Sequence, residues 1–159
     1  LSENYCGFTD ANGNPETNCP AGTIPPGGED PVDGPEATAG TRLPVTADFK
    51  GNVTARYTFD LGEFEAFWQG AVIHEGERSS DLRDLENSII GNLDSYTTLD
   101  LSAGLRRDNW SVDVYIKNAT DENVQNYRFV QCPETICGAQ AYTIVAPPRT
   151  FGIRFSQSF

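Results

Sequence analysis

Apolar and polar residues alternate with a period of two in five stretches of this chain. In the first stretch, Phe49, Val53 and Tyr57 are separated by polar or charged neighbours; in the second, Phe67 and Ile73 fall on the otherwise polar side. Successive side chains of a β-strand point to opposite faces, so this period predicts strands with one apolar and one polar face. The predicted strands span about residues 48–60, 63–74, 96–106, 110–117 and 149–159.

The connections between these strands alternate between short and long. Leu61 and Gly62 predict a tight turn, as do residues 107–109, whereas the long connections are rich in Gly, Pro, Asn and Asp, as loops are. We interpret the whole of each long connection as a loop, although a helical turn near residues 82–86 and a strand extension at 141–146 are compatible with the sequence. The long connections span residues 1–44, 75–95 and 118–147. The expected fold class is all-β, antiparallel and up-and-down.

The alternation does not say whether the apolar face meets lipid or a protein core. The order of connections favours lipid, because outer-membrane barrels have short turns at one rim and long extracellular loops at the other. No apolar run is long enough for a transmembrane helix. Five strands cannot close a barrel, since about eight is the minimum. The expected architecture is therefore the last five strands of a larger transmembrane barrel.

Charged residues on the polar face support a hydrated lumen, because a small packed core rarely accepts so many charges. The residues predicted to face this lumen are Lys50, Arg56, Asp100, Arg106, Asp113, Lys117 and Arg154. Aromatic residues also cluster near strand ends, as the interfacial girdles of a membrane barrel require. The alternative is a secreted, disulfide-stapled all-β binding or adhesion module whose apolar face forms a soluble core.

The four cysteines fall into two close pairs, Cys6 with Cys19 and Cys132 with Cys137, each in a loop-like stretch. This grouping predicts two short-range disulfides and an oxidising compartment. A zinc site is the less favoured alternative, since it would need thiolates that stay reduced.

The chain is strongly acidic, with a net charge of −12 and a pI near 4.3. Nucleic acid is excluded as a partner, because its phosphates require basic residues. Residues 1–44 carry seven acidic side chains against Arg42 alone. This segment could gather cationic ligands, but acidic extracellular loops commonly serve solubility. The chain lacks Met and a signal peptide, so we expect it to be a mature chain or a piece of a longer protein.

Candidate chemistry is sparse. Residues Asp10–Glu16 imitate the start of a calcium loop, but the glycine is misplaced, so a simple turn is favoured. His74 is the only histidine and has no partner suggested by the sequence. We find no catalytic triad, phosphate loop or nucleotide fingerprint. The expectation is a protein that is not an enzyme and needs no cofactor.

Several segments resemble the C-terminal barrel portion of TonB-dependent outer-membrane receptors. The similar segments are Thr41–Pro44 before the strand at Lys50–Phe59, Tyr96–Arg106 followed by Asn109–Asn118, Asn118–Glu122, Pro148–Phe155 and the terminal Phe159. They cover residues 41–159 in the family's order. Ala119 and Thr120 replace a usual bulky apolar pair, and Gln157 occupies a commonly apolar position.

The resemblance implies a barrel of about 22 strands in the outer membrane of a Gram-negative bacterium, filled by a plug. It implies active uptake of a scarce nutrient, of the iron–siderophore, cobalamin or glycan class, driven by an inner-membrane energy-transducing complex through the plug. Residues 1–44 would be an extracellular loop and residues 45–159 barrel wall with further extracellular loops. Phe155 and Phe159 resemble the C-terminal signal read by the barrel assembly machinery. The implied partners are the rest of the barrel and plug, that machinery, outer-membrane lipid and an extracellular nutrient.

Overall fold

A computed structural model describes residues 1–28, 31–130 and 140–159 of the chain. The strands are β1 (Lys50–Leu61), β2 (Phe64–Glu75), β3 (Tyr96–Arg107), β4 (Trp110–Lys117), β5 (Gln125–Val130), β6 (Ala141–Val145) and β7 (Thr150–Gln157). One short helix, α1, spans Asp84–Ile90. Within the described ranges, no helix has the length and hydrophobicity needed to cross a bilayer.

Five strands form a single antiparallel sheet in the order β1, β2, β3, β4, β7. Each of them begins and ends within two residues of the predicted range. The β1–β2 and β3–β4 turns place Gly62 and Asp108 at φ of 64° and 47°, a conformation that Gly and Asp tolerate. The all-β antiparallel class is confirmed. The sheet is open among the described residues, with β1 and β7 as its edges.

The strand register aligns the apolar positions of all five strands on one face. One row across the sheet consists of Tyr57, Trp68, Ala103, Val114 and Ile153. Because side chains alternate along every strand, the rows on either side of it are polar on the opposite face. A shift of one residue in any pairing would turn that strand's apolar residues to the polar side.

The apolar face is exposed rather than packed as a core. Val53, Phe151 and Ile153 are 72%, 69% and 77% exposed, and Trp68 is 61% exposed. Ala66 is the single buried apolar residue that the described part of this sheet contains. Exposure on this scale is abnormal for a protein surface in water and marks a surface that meets another apolar phase or partner.

Two of the predicted loops contain regular structure: α1 and β6 lie where the sequence allowed a helical turn and a strand extension, whereas β5 was not expected. Strands β5 and β6 pair within residues 118–147, so interpreting that whole connection as a loop is wrong. The reason is that Tyr127 and Phe129 alternate with polar Arg128 and can pair with the apolar segment 141–145. In the 75–95 connection, helix α1 ends with Ile90, which is 6% exposed, so burial stabilises a helix of only seven residues.

The chain divides into two compact units. The strand unit comprises residues 47–77, 94–126 and 144–159 and contains the five-stranded sheet. The connection unit comprises residues 1–46, 78–93 and 127–143, so it gathers parts of all three long connections. Its buried apolar residues are Cys6, Cys19, Ala37, Ile90 and Leu93.

Candidate functional site on the polar face of the sheet

The polar face brings together a row of residues that the sequence places far apart. Cross-strand pairing aligns Phe67 on β2 with Gly104 on β3, then with Asp113 on β4 and Arg154 on β7. Thr58 on β1 begins the row. This row therefore combines the aromatic ring of Phe67, the open space above Gly104, the carboxylate of Asp113 and the guanidinium of Arg154.

Phe67 lies on the polar face because Gly104 leaves room for its ring. A Cβ atom built on Gly104 would overlap both the Phe67 ring and the Asp113 Oδ1 atom. The guanidinium carbon of Arg56 lies 3.6 Å from the centre of the same ring, which is a favourable cation–π distance. The ring is thus covered from two sides, which accounts for the place of Phe67 on the otherwise polar side of β2.

Tyr115 repeats this arrangement on the neighbouring strand pair. Its ring lies over Gly152, its cross-strand partner on β7, and would collide with any Cβ atom at that position. Close packing of an aromatic ring against a glycine on the adjacent strand helps to fix strand register. Neither Phe67 nor Tyr115 was identified from the sequence as a site residue, because the partner glycines are recognisable only once the register is known.

Ion pairs connect neighbouring strands on this face. Lys117 Nζ lies 2.8 Å from Asp100 Oδ2, and Lys50 Nζ lies 3.1 Å from Glu75 Oε2. Arg106 Nη1 lies 3.6 Å from Glu65 Oε1. The lysine and arginine side chains remain more than half exposed, so each pair contributes at most about 1 kcal/mol to stability.

All seven residues predicted to face the lumen share this polar face. The register places Lys50, Arg56, Asp100, Arg106, Asp113, Lys117 and Arg154 on it. The strand register shows that these seven residues share one face. Contact of that face with a water-filled lumen stays a prediction. Among these seven residues, Asp100 pairs with Lys117, whereas Arg106 pairs with Glu65.

Two grooves follow the polar face. One, of about 260 Å³, is lined by residues that include Arg56, Phe67, Asp113 and Tyr115. The other, of about 600 Å³, lies near the end of the sheet where the long connections begin and is lined by residues that include Asp100 and Lys117. Both grooves offer charged and hydrogen-bonding groups of both kinds, donors and acceptors.

A larger depression of about 940 Å³ lies on the apolar face, between Trp68, Leu101, Val114 and Phe151. Its exposed lining is almost entirely hydrocarbon. We interpret it as a gap between large side chains above the small residue Ala103.

Aromatic and basic side chains meet at the end of the sheet that carries the short turns. The Phe64 and Trp110 rings are in edge-to-face contact at 5.8 Å, and the Arg107 guanidinium lies 5.5 Å from the Phe64 ring. Arg107 Nη2 also lies 2.6 Å from Glu63 Oε2. This combination of rings and charges is typical of strand ends at a membrane interface.

Asn118 organises the chain where β4 ends. It has φ of 50° and is 7% exposed. Its Oδ1 accepts a hydrogen bond from the Glu122 N–H at 2.9 Å, and its Nδ2 donates to the Glu122 carbonyl at 2.8 Å. Asp121 Oδ1 accepts from the Arg149 N–H at 3.0 Å. Asn118 and Asp121 thus have structural roles in the segment Asn118–Glu122.

The connection unit contains the disulfide predicted between Cys6 and Cys19. Both cysteines are 2% exposed, and their sulfurs, joined to each other, are not available as zinc ligands. The pair Cys132 and Cys137 lies outside the described residues. Among the residues that are described, no group of three or more His, Cys, Asp or Glu is arranged to hold a metal ion. His74 Nδ1 lies 2.8 Å from Thr97 Oγ1 in a hydrogen bond.

The segment Asp10–Glu16 is a turn closed by a side chain. Asp10 Oδ1 accepts hydrogen bonds from the N–H groups of Asn12 and Asn14, at 2.8 and 2.9 Å. The bond from the Asn14 N–H lowers the pKa of Asp10 most; desolvation raises it, and the Asn12 N–H lowers it again, so that the pKa of Asp10 is lowered overall. The carboxylate is therefore used within the turn.

A second local charge cluster precedes helix α1. Burial raises the pKa of Asp81, but the hydrogen bonds and positive charge of Arg83 lower it by more, so that its pKa is lowered overall. The bond to Asp81 correspondingly raises the pKa of Arg83. Arg83 Nη1 also lies 2.8 Å from Glu86 Oε1, so the cluster is internally paired.

A family model described as "TonB dependent receptor-like, beta-barrel" matches residues 6–119. This chain belongs to the TonB-dependent receptor β-barrel family. No curated protein and no solved structure matches it. The matched range includes the disulfide loop and strands β1–β4. Membership of this receptor family favours the membrane interpretation of the apolar face over a secreted module with a soluble core.

The rest of the resemblance lies beyond the matched range, at the end of Asn118–Glu122, in Pro148–Phe155 and at Phe159. Phe155 pairs with Val112 on the apolar face and is 64% exposed, and Phe159 follows the end of β7. Gln157 pairs with Trp110 at the end of the same face. Recognition of Phe155 and Phe159 by the assembly machinery of this receptor barrel stays a prediction.

Proposed function

We propose that this chain is part of an outer-membrane receptor that takes up a scarce nutrient with energy supplied from the inner membrane. The observation that carries the proposal is the sheet itself, in which a continuous exposed apolar face is opposite a face of charged residues. Lipid on one side and water on the other would satisfy both faces.

In this proposal the five strands are a section of barrel wall whose edges, β1 and β7, pair with further strands of the receptor. The connection unit faces the outside of a Gram-negative cell and contacts the nutrient. The charged face borders the lumen and a plug domain, through which the energy-transducing complex acts. The chain catalyses no reaction, and the barrel assembly machinery inserts it into the membrane.

The nutrient belongs to the iron–siderophore, cobalamin or glycan class. The test is uptake by cells that express the full-length receptor, with matched strains that lack either the receptor or its energy-transducing complex. Radiolabelled ferric siderophores, cyanocobalamin and oligosaccharides serve as probes. We expect one probe to accumulate only when both the receptor and the complex are present.

Two results would contradict the proposal. One is recovery of the full-length protein from the medium instead of the outer-membrane fraction. The other is probe accumulation that is unchanged when the energy-transducing complex is absent.

A further inference from the structure

Three aromatic rings form a continuous row on the β5–β6 ribbon, which belongs to the long connection between β4 and β7. The Tyr127 and Phe129 ring centres are 5.8 Å apart with 20° between their planes. Phe129 and Tyr142 are 5.9 Å apart with 27° between planes. All three residues lie in the connection unit. We refer to Tyr127, Phe129 and Tyr142 as the aromatic strip.

The aromatic strip is accessible. Tyr127 is 39% exposed and Tyr142 is 49% exposed, and Phe129 between them is partly buried. Arg128 alternates with the strip residues along β5, and its Nη1 donates a hydrogen bond to the Ile90 carbonyl at 2.8 Å. The basic residue next in sequence to the rings is thus engaged with the end of helix α1.

The negative charge of the connection unit disfavours anionic ligands. The sequence of the connection unit contains eleven acidic residues and four basic ones. A surface with this balance repels anions such as carboxylate or catecholate chelates of iron, because like-charge approach is unfavourable. It does not oppose neutral or cationic ligands, and the choice of a neutral one rests on the aromatic rings.

We infer that the aromatic strip is a subsite for a neutral oligosaccharide; the inference rests on the proposed receptor function and names its nutrient class. Pyranose rings expose C–H groups of slight positive charge, which pack against the electron-rich faces of aromatic rings. The two tyrosine hydroxyls add donors and acceptors that sugar hydroxyls can match. A row of three rings suits consecutive sugar units of a chain.

The test is titration of the purified full-length receptor with three neutral hexasaccharides, maltohexaose, cellohexaose and xylohexaose. An anionic oligosaccharide of galacturonic acid is the charged comparison. We expect at least one neutral hexasaccharide to bind and the anionic one to bind more weakly. Tyr127→Ala and Tyr142→Ala should each raise the Kd of the neutral ligand up to about tenfold.

Two further variants distinguish a loss of binding from a loss of folding. Tyr142→Phe retains the ring but loses the hydroxyl, so its Kd should rise less than that of Tyr142→Ala. Thr143→Ala changes the opposite side of β6 and should leave the Kd unchanged. Outer-membrane abundance of every variant is measured alongside, so that loss of binding is compared only among folded receptors.

The inference is overturned if no neutral hexasaccharide binds, or if binding survives in both alanine variants. In either case, energy-dependent uptake of a ferric chelate or of cyanocobalamin would leave the proposed receptor function standing. Absence of energy-dependent uptake for every probe, even with the hexasaccharide bound at the aromatic strip, would instead overturn the proposed function alone.

Discussion

At the scale of single residues, the fit between Phe67 and Gly104 determines the shape of the polar face. The Phe67 ring fills the space above Gly104, and the Asp113 carboxylate closes it from the next strand. Arg56 covers the ring. The site tolerates no added atom, because both neighbours already touch the position that a Cβ atom would occupy.

Gly104→Ala should therefore destabilise the receptor barrel by about 1–3 kcal/mol, the usual cost of overpacking. The measurement is the urea midpoint of the full-length receptor unfolding from detergent micelles. Gly70→Ala is the matched control, since a Cβ atom there meets only Leu101 Cδ2 at an ordinary 3.6 Å. Equal midpoints for the two variants would show that the Phe67–Gly104 fit is not as tight as described.

The turn at Asp10 should open in acid. Its pKa is lowered below the ordinary value of 3.8, first by the Asn14 N–H and then by the Asn12 N–H. The charged carboxylate thus stabilises the turn above the unfolded pKa, and this stabilisation is lost as pH falls through the lowered folded pKa. We expect the Asn12 and Asn14 amide resonances of asparagine-labelled receptor to move together as pH falls from about 5 to about 2.

The Asn52 amide, in strand β1, is the internal reference for this titration. In Asp10→Asn receptor, the pH-dependent movement of the Asn12 and Asn14 resonances should disappear. Persistence of that movement in the variant would mean that another group controls the turn.

Which residues share a face could be predicted from the sequence, but which residues touch could not. The period of two identified all seven charged residues of the polar face, from Lys50 to Arg154. The places of Phe67 and Tyr115 depend on glycines on other strands, at distances along the chain that no local pattern encodes. The positions of Phe67 and Tyr115 could be explained only once the strand register was known.

At the scale of elements, the long connections contain more order than their composition suggested. The Cys6–Cys19 disulfide closes a sequence separation of 13 and is buried among the residues of the connection unit. A disulfide that closes a loop of this size stabilises a folded segment by about 3 kcal/mol.

Replacing both Cys6 and Cys19 by Ser should loosen residues 1–46 while the five-stranded sheet, which contains neither cysteine, stays intact. Limited proteolysis of intact cells, read by mass spectrometry, should show new cleavage between residues 7 and 18 at undiminished outer-membrane abundance. Unchanged cleavage would mean that the disulfide is dispensable for this segment.

Strands with long, regular alternation and tight turns were predictable, whereas α1 and β6 could be noted only as possibilities within loops. Strand β1 repeats its pattern over 12 residues, and β6 has only 5 residues without polar alternation. Helix α1 has 7 residues and no side-chain cap, so its sequence lacks a start signal. Tertiary packing buries Ile90 and Leu93, and this burial stabilises helix α1, which the local sequence alone does not stabilise.

At the scale of the whole molecule, the central claim is that the chain is a section of a receptor barrel wall with lipid on its apolar face. Family membership supports the receptor, and the exposure of Val53, Trp68 and Ile153 supports lipid contact. The claim requires successive side chains along one strand to contact different environments, lipid on one face and water on the other.

This alternation is tested most directly by measuring the accessibility of spin labels in the full-length receptor in liposomes. Labels at Asn52→Cys and Val53→Cys on β1, and at Ser102→Cys and Leu101→Cys on β3, sample both faces. We expect lipid-soluble oxygen to reach labels 53 and 101 far more often than labels 52 and 102, with the reverse order for a water-soluble nickel chelate. Labels 53 and 101 that are shielded from oxygen, as in a protein core, would contradict the barrel-wall account.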